Sequence, residues 1–481
     1  MPNGICAAER RALILIAGLT VWRLAWLPAS DMEFYVDEAQ YWLWGQEMAF
    51  GAWSKPPLVG WLIRAANELT GSDAPWVARL PWPLVHAAAA LAVMALGRIL
   101  AGPRAGALAG AVYAALPAVS VGAILISTDS PQMLALALFL LAWVGAPGMG
   151  GAALAGAALA AGMWSKYAML FPLPGLALAA WIDPRWRRPW AQVAVVAAMA
   201  LVLFAPNIWW NIRHDMATVR HTTQNADWQG ALNLAGGLRF LAQQFAVAGP
   251  LTFAALLAAL VRRWPSGLRG LIPIAAAPLA VVTAQAVQSQ ANANWAAGAY
   301  VAGAVLMAAW LVPRPRLAVL ALTLNGVMAL ALPVIGTMAQ ELRRDARPIL
   351  ARYVGNQAVA DAIITAARDS KARLVVSDDR ALLAHLTWRT RTTAPDIAVR
   401  AVPGRDGPIP SHYDLTWPLR TESGPALWAG PPDRAPACAG WMLHLPPGEG
   451  DLGRRDLAWS ALSRDCLDSL RRLGPAGIRA R

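Results

Sequence analysis

YVDEAQYWLWGQEMAFGAWSKPPLVGWL, residues 35–62, looks like a loop between two membrane helices but is built as more than a connector. Residues 35–51 read as an amphipathic helix lying along a membrane surface, with Trp42, Trp44 and Met48 suited to the interface. A second amphipathic stretch follows Pro56 and Pro57, from Leu58 to Leu69. The whole segment between the flanking apolar runs spans residues 29–75, and long loops with structure of their own are often functional. It also holds Lys55, one of only three lysines in a chain whose other strong bases are arginine; Lys166 likewise follows Trp-Ser.

The surroundings of this loop are those of a membrane protein. The chain has 481 residues, of which 57% are hydrophobic and 14% charged, and a mean hydropathy of +0.42. Soluble domains carry roughly a quarter of their residues as charges. The net charge of +13 would suit nucleic acid in a soluble protein. Here the arginines fall in short loops between apolar runs, a pattern that sets membrane orientation, and no nucleic-acid or zinc motif accompanies them. Three cysteines are too few for a disulfide framework; Cys438 and Cys466 pair if the tail is periplasmic, or remain as buried thiols. The first apolar run, after Arg10 and Arg11, lacks a small-residue cleavage site and reads as a retained anchor.

Apolar segments of about 20 residues mark transmembrane helices, here near 11–28, 76–98, 105–126, 131–146, 191–210, 239–261, 268–287, 296–312 and 317–336. Between 151 and 182 two shorter apolar pieces, broken at Ser165-Lys166-Tyr167, read as a helical hairpin with a polar apex. The expected fold is therefore a polytopic α-helical membrane domain, residues 1–337, of about nine spans plus the hairpin. A small C-terminal periplasmic α/β domain, residues 338–481, follows it. Within that tail, 356–369 and 379–388 read as helices and 374–377 as a strand. Arg10/Arg11, Arg98/Arg104, Arg185/Arg187/Arg188, Arg262/Arg263/Arg269 and Arg314/Arg316 fall on one side, which the positive-inside rule makes cytoplasmic.

The opposite side collects the chemistry. Asp37 and Glu38 open the first amphipathic helix; Asp37 with Gln40 has capping-box spacing, a structural role compatible with that of an ionised base. Asp129, before Pro131, is either the cap of the next span or a second functional acid on the same face. Lys55 and Lys166 either snorkel or supply compact positive charge to a phosphate. Arg23, near the outer end of the first span, has the same two readings. The loop at 207–228 adds Asn211, Arg213, His214, Arg220 and His221, with the two histidines poorly spaced for a metal. Asn292, Asn294 and Trp295 offer hydrogen bonds and stacking to a sugar, or form a polar turn with an interfacial Trp.

Taken in order, DEAQYW (37–42), KPPLVGWL (55–62), Thr128-Asp129, the apex Lys166, PNIWWN (206–211) and NWAAGAY (294–300) resemble the GT-C membrane glycosyltransferases. The nearest branch holds protein O-mannosyltransferases, aminoarabinose transferases and lipid A galacturonosyltransferases. The resemblance runs over about residues 10–312, and its most specific part is the Asp-Glu followed by the Pro-Pro pair. It implies inverting transfer of a sugar from a polyprenyl phosphate to a lipid, glycan or protein acceptor at the outer face of a bacterial inner membrane. By it Asp37 matches the catalytic acid, with Glu38 beside it and Asp129 the second-loop acid. Lys55, Lys166 and Arg23 are expected on the donor phosphate, and Tyr41, Asn211, His214, Asn294 and Trp295 on substrate. No cofactor is implied, and a divalent metal is compatible. Two rivals are a lipid-linked-sugar flippase, which should show inverted repeats and mid-membrane acids, and a surface-polysaccharide polymerase or ligase.

Overall fold

The computed structural model describes residues 5–225, 231–402 and 411–472. The chain divides into two compact units: Met1–Pro28 with Lys55–Val59 and Arg79–Val334, and Ala29–Ser54 with Gly60–Ala78 and Ile335–Arg481. Most of the long loop around Asp37, which the sequence attaches to the helical domain, therefore packs with the C-terminal region.

The first unit is helical. Among the described residues four helices are long and apolar enough to cross a bilayer: Pro75–Ala101, Trp190–Arg213, Leu268–Gln288 and Pro315–Gly336. A bent pair, Leu234–Ala248 and Pro250–Leu260, makes a fifth if taken as one span. The sequence reading expects about nine. Two of the expected runs are broken, each for a local reason. The run at 105–126 splits into Pro103–Ala115 and Pro117–Gly122, because Leu116 before Pro117 is extended (ψ 136°) and cannot continue the helix. The run at 239–261 turns through 117° at Gly249. There φ is +89°, and a Cβ would sit 2.0 Å from Asn325 Oδ1, so only glycine fits. Pro250 then opens the next helix.

The arginine-bearing loops gather at one end of this unit. Arg98 pairs with Glu9 at 2.7 Å, and Arg185 donates to the Ile99 carbonyl at 2.8 Å. Asp183 accepts from Ser266 and from the backbone N–H groups of Gly267 and Gly270. Arg188 caps the end of helix Asp129–Gly145 by donating to the carbonyls of Ala142, Trp143 and Ala146.

The second unit is built on a five-stranded sheet in the order Ala398–Ala401, Leu374–Ser377, Ala426–Gly430, Ala458–Leu462, Leu443–His444. The first three strands are parallel, and the last two join antiparallel. Every residue of Leu374–Ser377 and Ala426–Gly430 is buried, the mark of central parallel strands covered on both faces. Helices Asn356–Asp369 and Arg380–Thr393 pack with this sheet. Cys438 and Cys466 form a disulfide.

Helix Val36–Glu47 belongs to this unit and is clamped along its length by the C-terminal region. Ahead of it, Glu33 accepts from the backbone N–H groups of Asn356 and Gln357. At its end, Glu47 accepts from Trp417 Nε1 at 2.6 Å and bonds His412 Nε2 at 3.1 Å. It crosses helix Leu58–Thr70 backbone to backbone: a Cβ on Gly60 would lie 2.7 Å from Gly45 N and 2.8 Å from Trp44 Cβ.

Candidate functional site

In the helical unit, Asp129 is the first residue of helix Asp129–Gly145, and it does not cap that helix with its side chain. Its Oδ1 takes a hydrogen bond from Lys166 Nζ at 2.6 Å, and its Oδ2 takes one from Asn294 Nδ2 at 2.6 Å. Lys166 reaches it because helix Gly148–Ser165 stops there: Lys166 is extended (φ −161°, ψ 134°) before a short 3-10 turn, Tyr167–Leu170. Ser165 fixes the break by donating to the Thr128 carbonyl at 2.6 Å. Three sequence-selected residues thus meet at one carboxylate. The ammonium carries three N–H donors, so one bond to Asp129 does not exhaust it.

Beside this cluster the 206–211 motif builds an internal network. Tyr167 donates its hydroxyl to Asn207 Oδ1 at 2.8 Å, and Asn211 Nδ2 donates to the Tyr167 hydroxyl at 3.3 Å and to Asn207 Oδ1 at 3.2 Å. Asn211 is 1% exposed, and its Oδ1 accepts from Thr218 N–H. Both ends of its amide therefore bond protein, which holds the side chain in place. The signal for Tyr167 and Asn207 was in the sequence: one sits at the hairpin break, the other directly after Pro206.

Asp37 lies in the other unit. The capping box there is not Asp37 with Gln40: helix Val36–Glu47 is capped by Tyr35, whose N–H donates to Glu38 Oε2 at 3.1 Å. Glu38, expected beside the catalytic acid, is 2% exposed and closes this cap. Asp37, a third exposed, is released from capping and pairs through Oδ1 with Arg380 Nη2. Arg380 Nε also donates to Gln40 Oε1 at 2.8 Å. Burial works against the charge on Arg380, but the Asp37 carboxylate outweighs it and holds the guanidinium pKa above its ordinary value. Nothing in the sequence around Arg380 marks it, since its partner lies 343 residues away.

Other expected residues take different parts. Arg23 neither snorkels nor faces outward: it is 2% exposed and donates to the Ala114 carbonyl at 2.8 Å and Ser120 Oγ at 3.0 Å. The Pro117 break frees those carbonyls at the end of helix Pro103–Ala115, and Arg23 satisfies one of them. Tyr41 is buried with its ring against Trp44, centroids 4.8 Å apart. His214 stacks on Trp210 at 4.1 Å and bonds its carbonyl through Nδ1. Trp295 is half-buried against the apolar core. Lys55 is half-buried in the bend before Pro56. Trp228, at the end of the 207–228 loop, lies outside the described residues. Among the described residues no three His, Cys, Asp or Glu side chains come together as a metal-ligand set.

Over 477 residues the chain is 35% identical to the lipid A galacturonosyltransferase RgtD of Rhizobium johnstonii, covering 96% of this chain and 99% of that one. The chain belongs to the GT-C membrane glycosyltransferases. It is accordingly an enzyme that transfers a sugar. A family model described as dolichyl-phosphate-mannose-protein mannosyltransferase matches residues 54–210. Among solved structures, ArnT from Cupriavidus metallidurans shares the fold in both its undecaprenyl-phosphate-bound and apo forms. The bound form superposes with a TM-score of 0.67 at 16% identity, over 96% of this chain and 99% of that one. The apo form gives 0.66 at 16%, over 98% and 100%. At that identity the likeness speaks for the fold alone.

Proposed function

We propose that this GT-C enzyme transfers a sugar, with inversion, from a polyprenyl-phosphate donor to an envelope glycolipid at the periplasmic face of the inner membrane. The observation that carries this is the full-length 35% identity to a lipid A galacturonosyltransferase, which favours a lipid A-type acceptor and an acidic hexose as the sugar. The form of the ArnT fold solved with undecaprenyl phosphate supports a polyprenyl-phosphate donor.

The residues suit the chemistry. A sugar phosphate already carries a good leaving group, so no strong general acid is needed. Transfer requires a carboxylate to accept the acceptor hydroxyl proton as the new glycosidic bond forms. It also requires positive charge to receive the departing phosphate as the old bond breaks. Asp37 is assigned the first task, and Lys166 with Lys55 the second. Asp129 orients Lys166 and, through Asn294, the sugar. The lysines provide the positive charge from the chain itself, and no metal is invoked.

Mass spectrometry of lipid A from a deletion strain tests the assignment. Loss of a hexuronic acid, restored by the wild-type gene and not by the gene encoding Asp129→Asn, is the expected result. An unchanged lipid A profile alongside a missing sugar on another envelope component would overturn the acceptor.

A further inference from the structure

We infer that Arg380, from the C-terminal α/β region, is a positioning residue for the transfer reaction: its guanidinium sets the orientation and ionised state of Asp37. This rests on the reading of Asp37 as the base. The C-terminal region is then a working part of the catalytic apparatus.

Arg380 stands where parallel sheets present functional groups, just past the C-terminal end of a central strand, Leu374–Ser377. The turn is rigidly built. Asp379 caps helix Arg380–Thr393 by accepting from the N–H groups of Ala381 and Leu382 at 3.0 Å each. Arg455 holds that same carboxylate at 2.5 Å. Arg380 therefore leaves a fixed backbone.

From there its fork engages two residues, Asp37 and Gln40, that lie three apart and so share one face of helix Val36–Glu47. Two anchors fix the guanidinium plane, and the plane fixes the carboxylate; a lysine ammonium, a point charge with rotatable donors, fixes no such plane. Tyr41, from the same helix as Asp37, and Tyr413, from helix His412–Thr416, both act on Arg380, and Tyr413 also feels Asp37 and Glu47. Burial pushes the Tyr413 phenol well above its ordinary range, so it stays neutral. Arg380 is a cation paired with Asp37.

Helix Val36–Glu47 does not depend on this bond for its place. Arg391, on the same helix as Arg380, lies over the Trp42 ring at 5.4 Å, Trp388 meets Phe34 edge to face at 5.4 Å, and Glu47 is held by Trp417. Loss of Arg380 should therefore disturb Asp37 while leaving its helix docked.

The test compares full-length Arg380→Gln, Arg380→Lys and Arg391→Gln proteins. They are assayed in vesicles from the deletion strain whose polyprenyl-phosphate sugar pool carries a tritium label. For Arg380→Gln the turnover rate should fall about 10- to 100-fold with donor KM little changed. The acid limb of its pH profile should also move up by about one unit, because the carboxylate has lost its cation. Arg380→Lys should restore the acid limb while remaining slower than wild type, and Arg391→Gln should keep both rate and profile. Wild-type turnover and pH profile in Arg380→Gln, beside an inactive Asp37→Asn protein, would overturn the inference and leave the base assignment standing. An active Asp37→Asn protein would instead remove the base assignment itself. If Arg380→Gln does not fold, Arg380→Lys decides: wild-type turnover with the planar fork lost would overturn the inference.

Discussion

Lys166 donates to Asp129 at 2.6 Å, joining side chains only 15% and 9% exposed across 37 residues of sequence. Two opposite charges so little exposed depend on each other, since removing one leaves the other uncompensated.

Lys166→Gln and Asp129→Asn should each lower stability by about 2–4 kcal/mol and abolish measurable transfer. The double variant should regain part of the thermal stability, because no charge is stranded, and none of the activity. Melting curves read beside transfer assays check this. A double variant as active as wild type would show that the pair is structural only.

Gly60 is the closest point of the crossing between helices Val36–Glu47 and Leu58–Thr70. Gly60→Ala brings a methyl within 2.8 Å of Trp44 Cβ and against Gly45 N, so the helix bearing Asp37 must move. A cost of about 1–3 kcal/mol and a fall in transfer are expected. Gly440→Ala, with nothing within 4 Å, is the neutral control. Equal melting temperatures for the two would contradict the crossing.

Much of this was legible in the sequence, for identifiable reasons. The hairpin break at Lys166 and the tail elements at 356–369 and 374–377 follow from local pattern and agree with Gly148–Ser165, Asn356–Asp369 and Leu374–Ser377. Asp129, Lys166 and Asn294 were each singled out by chemistry, but their meeting is a tertiary fact. The cap was misplaced by two residues because Tyr35, a poor capping type, is the N-cap, while Glu38 supplies the recognisable half of the box. Arg23 looked outward because a span end usually faces water; the proline break at Pro117 gave it carbonyls to satisfy inside. Arg380 was invisible, since a bond across 343 residues leaves no periodicity to read.

Cys438 and Cys466 close a loop with a sequence separation of 28, and Cys6 is the free thiol among the described residues. Alkylation of the unreduced protein should tag Cys6 alone, and reduction should expose the other two. Replacing both paired cysteines by serine should cost about 3 kcal/mol, seen as a lowered melting temperature. Three reactive thiols in protein taken directly from the membrane would contradict both the pairing and an oxidising location for the tail.

Burial pushes the Asp414 carboxyl up to about 6. The folded protein therefore holds a proton there that the unfolded chain has already lost. This stabilisation is complete below about pH 4 and disappears as pH rises through 6; it is worth at most about 3 kcal/mol. His385 works oppositely: burial lowers it to about 4, so its contribution is present above about pH 6.5 and lost on acidification. Asp414→Asn should accordingly gain stability relative to wild type as pH rises from 4 to 7. Denaturation measured across that range checks the sign, and a constant difference would contradict it.

Asp37→Asn tests the base assignment most directly. Asparagine keeps the shape and an oxygen for Arg380 while removing the charge, so expression, melting temperature and donor binding should remain near wild type. Transfer of tritiated sugar from the polyprenyl-phosphate pool should fall by at least about 100-fold across the pH range. A folded Asp37→Asn protein transferring sugar at a near-wild-type rate would contradict the assignment of Asp37 as the base.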